Sequence, residues 1–239
     1  MKALTGKVAL ITGAGGGIGG AIARILAENG ADLALCGRNE EKLLETARLA
    51  EGFSVNAIAL PGDLTAAGWP ADVVRRTVTC FGRIDILVNN AGEVLSRPFE
   101  EVTPEEFDRI LAVNTRAPFF LCQAALPHLR ASKGAILNIG SVVSHKGYPL
   151  QSVYGASKHA LLGFTKALAN EVYKDGIRVH MLSPGGVLTD MAYRVRPDIP
   201  AEDLILPEEI AETALFLLTR RTGIVDEIEL HRPGKGPFA

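Results

Sequence analysis

Tyr154 and Lys158 stand four residues apart in a stretch whose apolar spacing predicts a helix, so their side chains share one face, a turn apart. A phenol beside an ammonium can carry a proton. Free tyrosine, with a pKa of about 10, is a poor acid–base group at neutral pH, and a nearby lysine cation favours its phenolate. Ser141, just after a predicted strand, could donate a hydrogen bond to an oxygen held beside that phenol. The set suits interconversion of a carbonyl and an alcohol, where a moving hydride must be matched by a proton. Each residue alone has a plainer reading: most Tyr-x-x-x-Lys pairs are surface helix residues, and a serine after a strand is commonly a turn residue.

A second cluster points to a phosphate-bearing ligand. Thr12-Gly13-Ala14-Gly15-Gly16-Gly17-Ile18-Gly19 follows a predicted strand at 8–11 and opens a predicted helix. Glycines there let the backbone approach a pyrophosphate, and the helix N-terminus adds free N–H groups and a positive dipole end. A glycine cluster by itself could be a flexible turn; the strand before it and the helix after it favour a dinucleotide.

The second strand ends Leu35-Cys36-Gly37-Arg38-Asn39. An acid at the Gly37 position would accept hydrogen bonds from both ribose hydroxyls and repel a 2′-phosphate. Glycine followed by Arg38 instead suits a phosphate in charge and fork geometry. NADP(H) is expected over NAD(H). Glu40 and Glu41, at a helix N-terminus, read as dipole-satisfying caps. Asn89-Asn90-Ala91-Gly92 ends the fourth strand, at the sheet edge where ligands of open α/β sheets bind.

The elements that must position these groups are legible as apolar runs at 8–11, 32–36, 55–60, 84–89, 134–139, 178–182 and 227–230. Most are continuously apolar, as strands covered on both faces are. Helices are predicted at 19–29, stopped by Gly30; at 39–51, capped by Asn39; at 107–113, after a Thr103-Pro-Glu-Glu start; at 152–174; and at 207–218. Asn114 is expected within the helix that begins near Phe107. Alternating strand and helix predicts one Rossmann-type α/β domain over residues 1–239, a doubly wound parallel sheet of about seven strands with helices on both faces.

The bulk properties exclude other classes. With 239 residues, 47% hydrophobic, the chain can bury one core. A net charge of −2 gives no footprint for nucleic acid or an anionic membrane. Cys36, Cys80 and Cys122 are scattered and unpaired, fitting neither a disulfide framework nor a zinc site, and no metal is expected. Without a signal-peptide pattern or an apolar run of about 20 residues, the chain is expected to be cytoplasmic. A Ser141–His145 acyl-transfer pair lacks the Gly-x-Ser-x-Gly elbow; His145 is expected instead near the substrate mouth. Trp69, in a Gly-Trp-Pro turn, is expected to pack under a loop.

Thr-Gly-x-x-x-Gly-x-Gly, Asn-Asn-Ala-Gly, Ser141 and Tyr154-x-x-x-Lys158, in this order and each at the end of the right element, resemble the short-chain dehydrogenase/reductase family over about residues 6 to 190. The resemblance implies a catalytic tetrad of Asn114, Ser141, Tyr154 and Lys158. Tyr154 would be the acid–base residue, Lys158 would also bond the nicotinamide ribose, and Asn114 would hold a water in a relay behind the lysine. It implies cofactor contacts from Gly13, Gly15, Gly17, Ile18 and Gly19 in the loop, and from Arg38 and Asn39. Asp63 and Leu64 would follow, with Asp63 facing the adenine amino group or merely capping its own turn. Asn90, Ala91 and Gly92 would line the groove. Pro184-Gly185-Gly186-Val187-Leu188-Thr189 looks like the family's Pro-Gly-x-x-x-Thr segment, which implies cofactor contacts from Pro184, Gly185, Val187 and Thr189, the backbone at Val187 and the hydroxyl of Thr189 holding the carboxamide.

The general look is nearest to 3-oxoacyl-acyl-carrier-protein reductases of fatty-acid biosynthesis and to broad carbonyl reductases. A small-molecule or carrier-borne carbonyl substrate and a homodimer or homotetramer are implied. Two alternatives stay open: a sugar, polyol or steroid alcohol dehydrogenase, and a non-catalytic cofactor sensor. Two departures stand out. The stretch between Thr189 and Pro207 is short, suggesting an open pocket, and the C-terminus runs into His231-Arg232-Pro233-Gly234 where relatives often carry Asp-Gly-Gly.

Overall fold

The computed structural model describes residues 2–220 and 222–234; part of the linker-like tail at 233–239 lies outside them. The seven strands are β1 (Val8–Thr12), β2 (Asp32–Gly37), β3 (Ala57–Pro61), β4 (Ile86–Asn89), β5 (Ala135–Ile139), β6 (Arg178–Pro184) and β7 (Glu227–Leu230). They pair in parallel in the order β3-β2-β1-β4-β5-β6-β7. Every predicted run is a strand, within a residue or two at its ends.

The helices are α1 (Gly17–Glu28), α2 (Glu40–Glu51), α3 (Trp69–Phe81), α4 (Pro104–Leu111), α5 (Ala117–Ser132), α6 (Ser152–Val172), α7 (Asp190–Val195) and α8 (Pro207–Thr219). One face of the sheet is covered by α1, α2 and α8 through Ile22, Leu26, Leu43, Ile210 and Leu217. The other is covered by α3, α5 and α6 through Val73, Leu121, Leu129 and Val172. Burial on both sides explains why β1, β4 and β5 are apolar without alternation and buried at every residue. Among the described residues no helix is long and apolar enough to cross a membrane.

Local signals acted as expected at several starts. Asn39 Oδ1 accepts the Lys42 amide at 3.0 Å, and Thr103 and Glu106 close a reciprocal capping box on α4. The predicted helix at 152–174 is α-helical to Val172, with a tighter turn at Tyr173–Asp175.

Three elements differ from expectation. Residues 69–81, read as a turn at Trp69, form α3, with Trp69 and Pro70 in its first turn and the indole packed on the backbone at Gly62. The helix containing Asn114 is interrupted. After α4 comes a π turn, Ala112–Arg116, and then α5, which reaches Ser132. Pro118 has no N–H to give the Asn114 carbonyl, so the regular α-helical bond at that position cannot form. The short stretch after Thr189 holds α7, and its end is pinned by a parallel bridge between Val187 and Ile205.

At the opposite end of the sheet from the glycine loop, buried Asp85 joins β1 to β4. Its carboxylate accepts the Val8 amide at 3.0 Å and pairs with Lys7 at 2.8 Å and Arg83 at 2.7 Å. Burial raises its pKa, but these bonds outweigh that and hold it below the usual carboxylate value. Asp85→Ala strands the Val8 amide and is expected to cost roughly 2–4 kcal/mol in urea unfolding. A loss under about 0.5 kcal/mol would show that the carboxylate bonds merely replace equal bonds to water.

Candidate active site

The carboxyl ends of β1, β2, β4, β5 and β6 open into one cleft of about 1020 Å³. Its floor is the glycine loop. Gly13 has φ +66°, and a Cβ there would lie 2.8 Å from Asn90 Nδ2 and 2.9 Å from Ala91 Cα. A side chain at Gly19 would collide with the Gly13 carbonyl. These two glycines let the loop, α1 and the end of β4 close on one another.

Thr12 is the clamp. Its buried hydroxyl accepts the amides of Asn90 at 3.0 Å and Ala91 at 3.1 Å, and donates to the Val88 carbonyl at 3.3 Å. Asn90 Nδ2 answers by donating to the carbonyls of Thr12 and Gly13 at 3.0 and 3.2 Å. The Asn90 side chain thus braces the loop. Gly15, Gly17, Ile18, Ala91 and Gly92 line the cleft directly.

The predicted acid–base residues meet at the β4–β5 end. Lys158 is buried, and its Nζ donates to the Ile139 carbonyl at 2.9 Å and lies 5.9 Å from the Tyr154 ring centre. Half-buried Tyr154 has the Ser141 hydroxyl as hydrogen-bond partner. Asn114 sits in the π turn. Its Oδ1 accepts the Glu93 amide at 2.8 Å, and its Nδ2 donates to the Glu93 carbonyl at 2.8 Å and to Ser157 Oγ at 3.0 Å. Ser157 Oγ in turn donates to the Tyr154 carbonyl at 2.7 Å. The four residues are brought together by α6, the loop after β5 and the turn before α5.

One electrostatic expectation is corrected. Burial pushes the Tyr154 phenol up to about 12, opposed only by the Ser141 bond, and pushes Lys158 down to about 8. Withdrawal from water disfavours phenolate and ammonium alike, and here it outweighs the attraction between them because Lys158 bonds a carbonyl and not the phenol. Burial thus favours the neutral phenol at Tyr154.

The end of the cleft beside β2 and β3 is more charged than the sequence suggested. Asp63 Oδ1 accepts the Thr65 amide and hydroxyl at 2.8 and 2.7 Å, so the capping reading describes what it does here. Those bonds, the amide first, hold its carboxyl below the usual range. Asp63 Oδ2 lies 3.3 Å from Arg109. Arg38 pairs with Glu93 at 2.8 Å, and Glu93 also takes a two-pronged bond from Arg109, at 2.7 and 3.1 Å. Arg109 lowers the Glu93 pKa first by that bond, and its own pKa is raised by it. Leu64, Arg38 and Asn39 line the same cleft.

Glu93 and Arg109 were missed. The only sequence signal was an acid directly after Asn-Asn-Ala-Gly; nothing local says that a helix residue at 109 reaches Asp63.

Pro184, Gly185, Val187 and Thr189 line the opposite wall, and Thr189 Oγ1 caps α7 by accepting the Ala192 amide at 3.4 Å. Met191, Val195 and Ile199 line the cleft too, so the short segment forms part of its wall. His145 is turned to β7, pairing with Glu227 at 2.7 Å, and does not line the mouth. No group of residues suited to a metal ion occurs among the described residues.

Comparison with known proteins gives the family. The short chain dehydrogenase family model matches residues 7–200. An uncharacterized oxidoreductase of Staphylococcus aureus (strain USA300) is 36% identical over 221 residues, 92% of this chain and 94% of that protein. A crystal structure of a metagenomic short-chain oxidoreductase in complex with NADP superposes with a TM-score of 0.84, at 32% identity, covering 96% of this chain and 98% of that one. An alcohol dehydrogenase from the archaeon Thermococcus sibiricus, complexed with 5-hydroxy-NADP, gives 0.89 at 31% identity, covering 97% and 98%. The chain belongs to the short-chain dehydrogenase/reductase family and is an NAD(P)-dependent oxidoreductase acting on alcohol and carbonyl groups.

Thr12→Val keeps the shape of the clamp and removes its hydroxyl, leaving two amides without an acceptor. It is expected to cost about 1–3 kcal/mol in thermal or urea unfolding and to weaken cofactor binding in a fluorescence titration. Unchanged binding would separate the clamp from the shape of the cradle.

Proposed function

We propose that the chain reduces a ketone or 3-oxoacyl thioester to a secondary alcohol with NADPH, residues 1–239 acting as one oxidoreductase domain. The observation that carries this is the meeting of Tyr154, Ser141 and buried Lys158 at the edge of the glycine cradle, where burial holds the phenol above its ordinary value. The cradle fits a dinucleotide because Gly13 packs closely against Asn90 and Ala91, while Gly15, Gly17 and Ile18 at the start of α1 line the cleft. Gly37 in place of an acid, with Arg38 after it, favours NADP(H).

A bound NADPH supplies the hydride that forms the new C–H bond. Ser141 donates a hydrogen bond to the substrate oxygen and holds it against Tyr154. Tyr154 gives its phenolic proton to that oxygen as negative charge develops there, and the alcohol leaves with one hydride and one proton added. Lys158, charged below about pH 8, steadies the phenolate left behind. Asn114 positions the set through Glu93 and Ser157, and would hold a water that returns a proton through Lys158. Val187 and Thr189 would receive the carboxamide, and Asp63 and Leu64 the adenine.

The NADP-bound metagenomic relative supports the cofactor reading. A carrier-borne thioester and a place in fatty-acid synthesis are one version of the substrate; a small ketone is the other. A homodimer or homotetramer belongs to the same reading, supported by the exposure of Phe119 and Phe120 on α5. The cell compartment is read as the cytoplasm.

Loss of nicotinamide absorbance is the assay, with acetoacetyl thioesters, diketones and ketoses as substrates. Tyr154→Phe should lower kcat by about 10²-fold or more, with NADPH binding nearly unchanged. Turnover surviving the change would remove Tyr154 from the chemistry. Cofactor binding with no turnover of any carbonyl or alcohol would favour a sensor.

Reduction should hold its rate up to about pH 8 and fall as Lys158 loses its proton, while oxidation should rise with pH as phenolate forms. A reductive rate still climbing above pH 8 contradicts the role given to Lys158. Arg38→Asp should weaken NADPH far more than NADH in direct titrations; equal weakening would remove the 2′-phosphate role.

A further inference from the structure

Four charged side chains from four elements meet at the adenosine end of the cleft: Arg38 after β2, Asp63 after β3, Glu93 after β4 and Arg109 on α4. In the sheet order β1 lies between β2 and β4, so the Arg38–Glu93 pair spans the groove above the glycine loop. Exposed ion pairs contribute little to stability, and Arg38 is 65% exposed. A purely structural purpose leaves its reach across the groove without a reason.

The charges also count in a particular way. Two guanidinium groups face two carboxylates, so the cluster is balanced as it stands. Arg38 gives Glu93 a single bond, from Nη1, so a 2′-phosphate must share the guanidinium with that carboxylate or draw it away, and in a full exchange the balance turns negative. Glu93 need not be abandoned on that exchange, because Arg109 holds both of its oxygens at 2.7 and 3.1 Å. The Glu93 backbone cannot swing aside either, since Asn114 grips its amide and carbonyl, each at 2.8 Å. The carboxylate is therefore a fixed competitor for Arg38.

We propose that Glu93 is a specificity-determining residue for the cofactor, competing with a 2′-phosphate for Arg38 and so moderating the preference for NADP(H) over NAD(H). This rests on the NADP(H) reading above. An adenosine without the phosphate leaves the Arg38–Glu93 pair intact and gains nothing from its loss.

The test measures binding, not turnover. Titration calorimetry of the intact protein with 2′,5′-ADP and 5′-AMP, and fluorescence titration with NADPH and NADH, give two selectivity ratios. Glu93→Gln should raise both ratios in favour of the 2′-phosphate by roughly fivefold. Glu93→Ala, which does not ask a neutral amide to bridge two guanidinium groups, should move them the same way. In an Arg38→Gln background the gain should fall below about twofold, because the competitor then has nothing to withhold. Unchanged ratios in both Glu93 variants, or an equal gain without Arg38, would overturn the proposal. If the wild-type protein binds neither adenosine nucleotide and neither dinucleotide, the cofactor reading fails and this inference falls with it. Binding with an unmoved ratio removes the role of Glu93 alone.

Discussion

The site depends first on one buried hydroxyl. Thr12 ends β1 and takes the amides of Asn90 and Ala91, while Asn90 returns bonds to the carbonyls of Thr12 and Gly13. A parallel sheet supplies ladder bonds only as far as its strands run, and beyond them buried backbone groups need other partners. The reciprocal clamp meets that need where β1 and β4 end. It also fixes the spacing between the glycine loop and the strand that leads to Glu93. The cradle, the groove and the start of α1 all follow from that spacing.

A second constraint acts through helix geometry. A continuous α-helix through 104–132 would engage the Asn114 carbonyl in the ladder, whereas Pro118 breaks that bond and a π turn absorbs the difference. Asn114 is then placed to hold both Glu93 and Ser157, and Ser157 reaches the Tyr154 carbonyl. Helix α6 and the strand-four loop are thereby tied through one amide side chain. Buried polar groups with every bond made give such ties their rigidity.

Burial sets the electrostatics of both halves of the cleft in opposite ways. Around Tyr154 and Lys158, water is withdrawn from groups with few charged neighbours, and the neutral forms gain. Around Glu93 and Arg109, partial exposure and direct pairing let the charged forms win. The groove separates these two conditions along its length.

The sequence by itself determined the seven strands, because a strand covered on both faces must be apolar throughout and is bounded by turn residues. It determined the cradle and the Tyr154–Lys158 face, because those depend on spacing within one or two adjoining elements. It also pointed to Arg38 by the type of residue at a strand end. Helix α3 and helix α5 were not legible: Gly68, Trp69 and Pro70 read as a turn until packed against Gly62, and the two prolines of α5 obscure its period. Only tertiary structure decided that His145 faces Glu227 and that Lys158 spends its bond on Ile139 and so leaves the phenol neutral. The same holds for the Arg38–Glu93–Arg109–Asp63 cluster, whose members lie up to 71 positions apart (109 minus 38) and meet because parallel strands bring their carboxyl ends to one edge. Charges recruited across a sheet leave no period or motif in the chain; their meeting is a property of strand order alone.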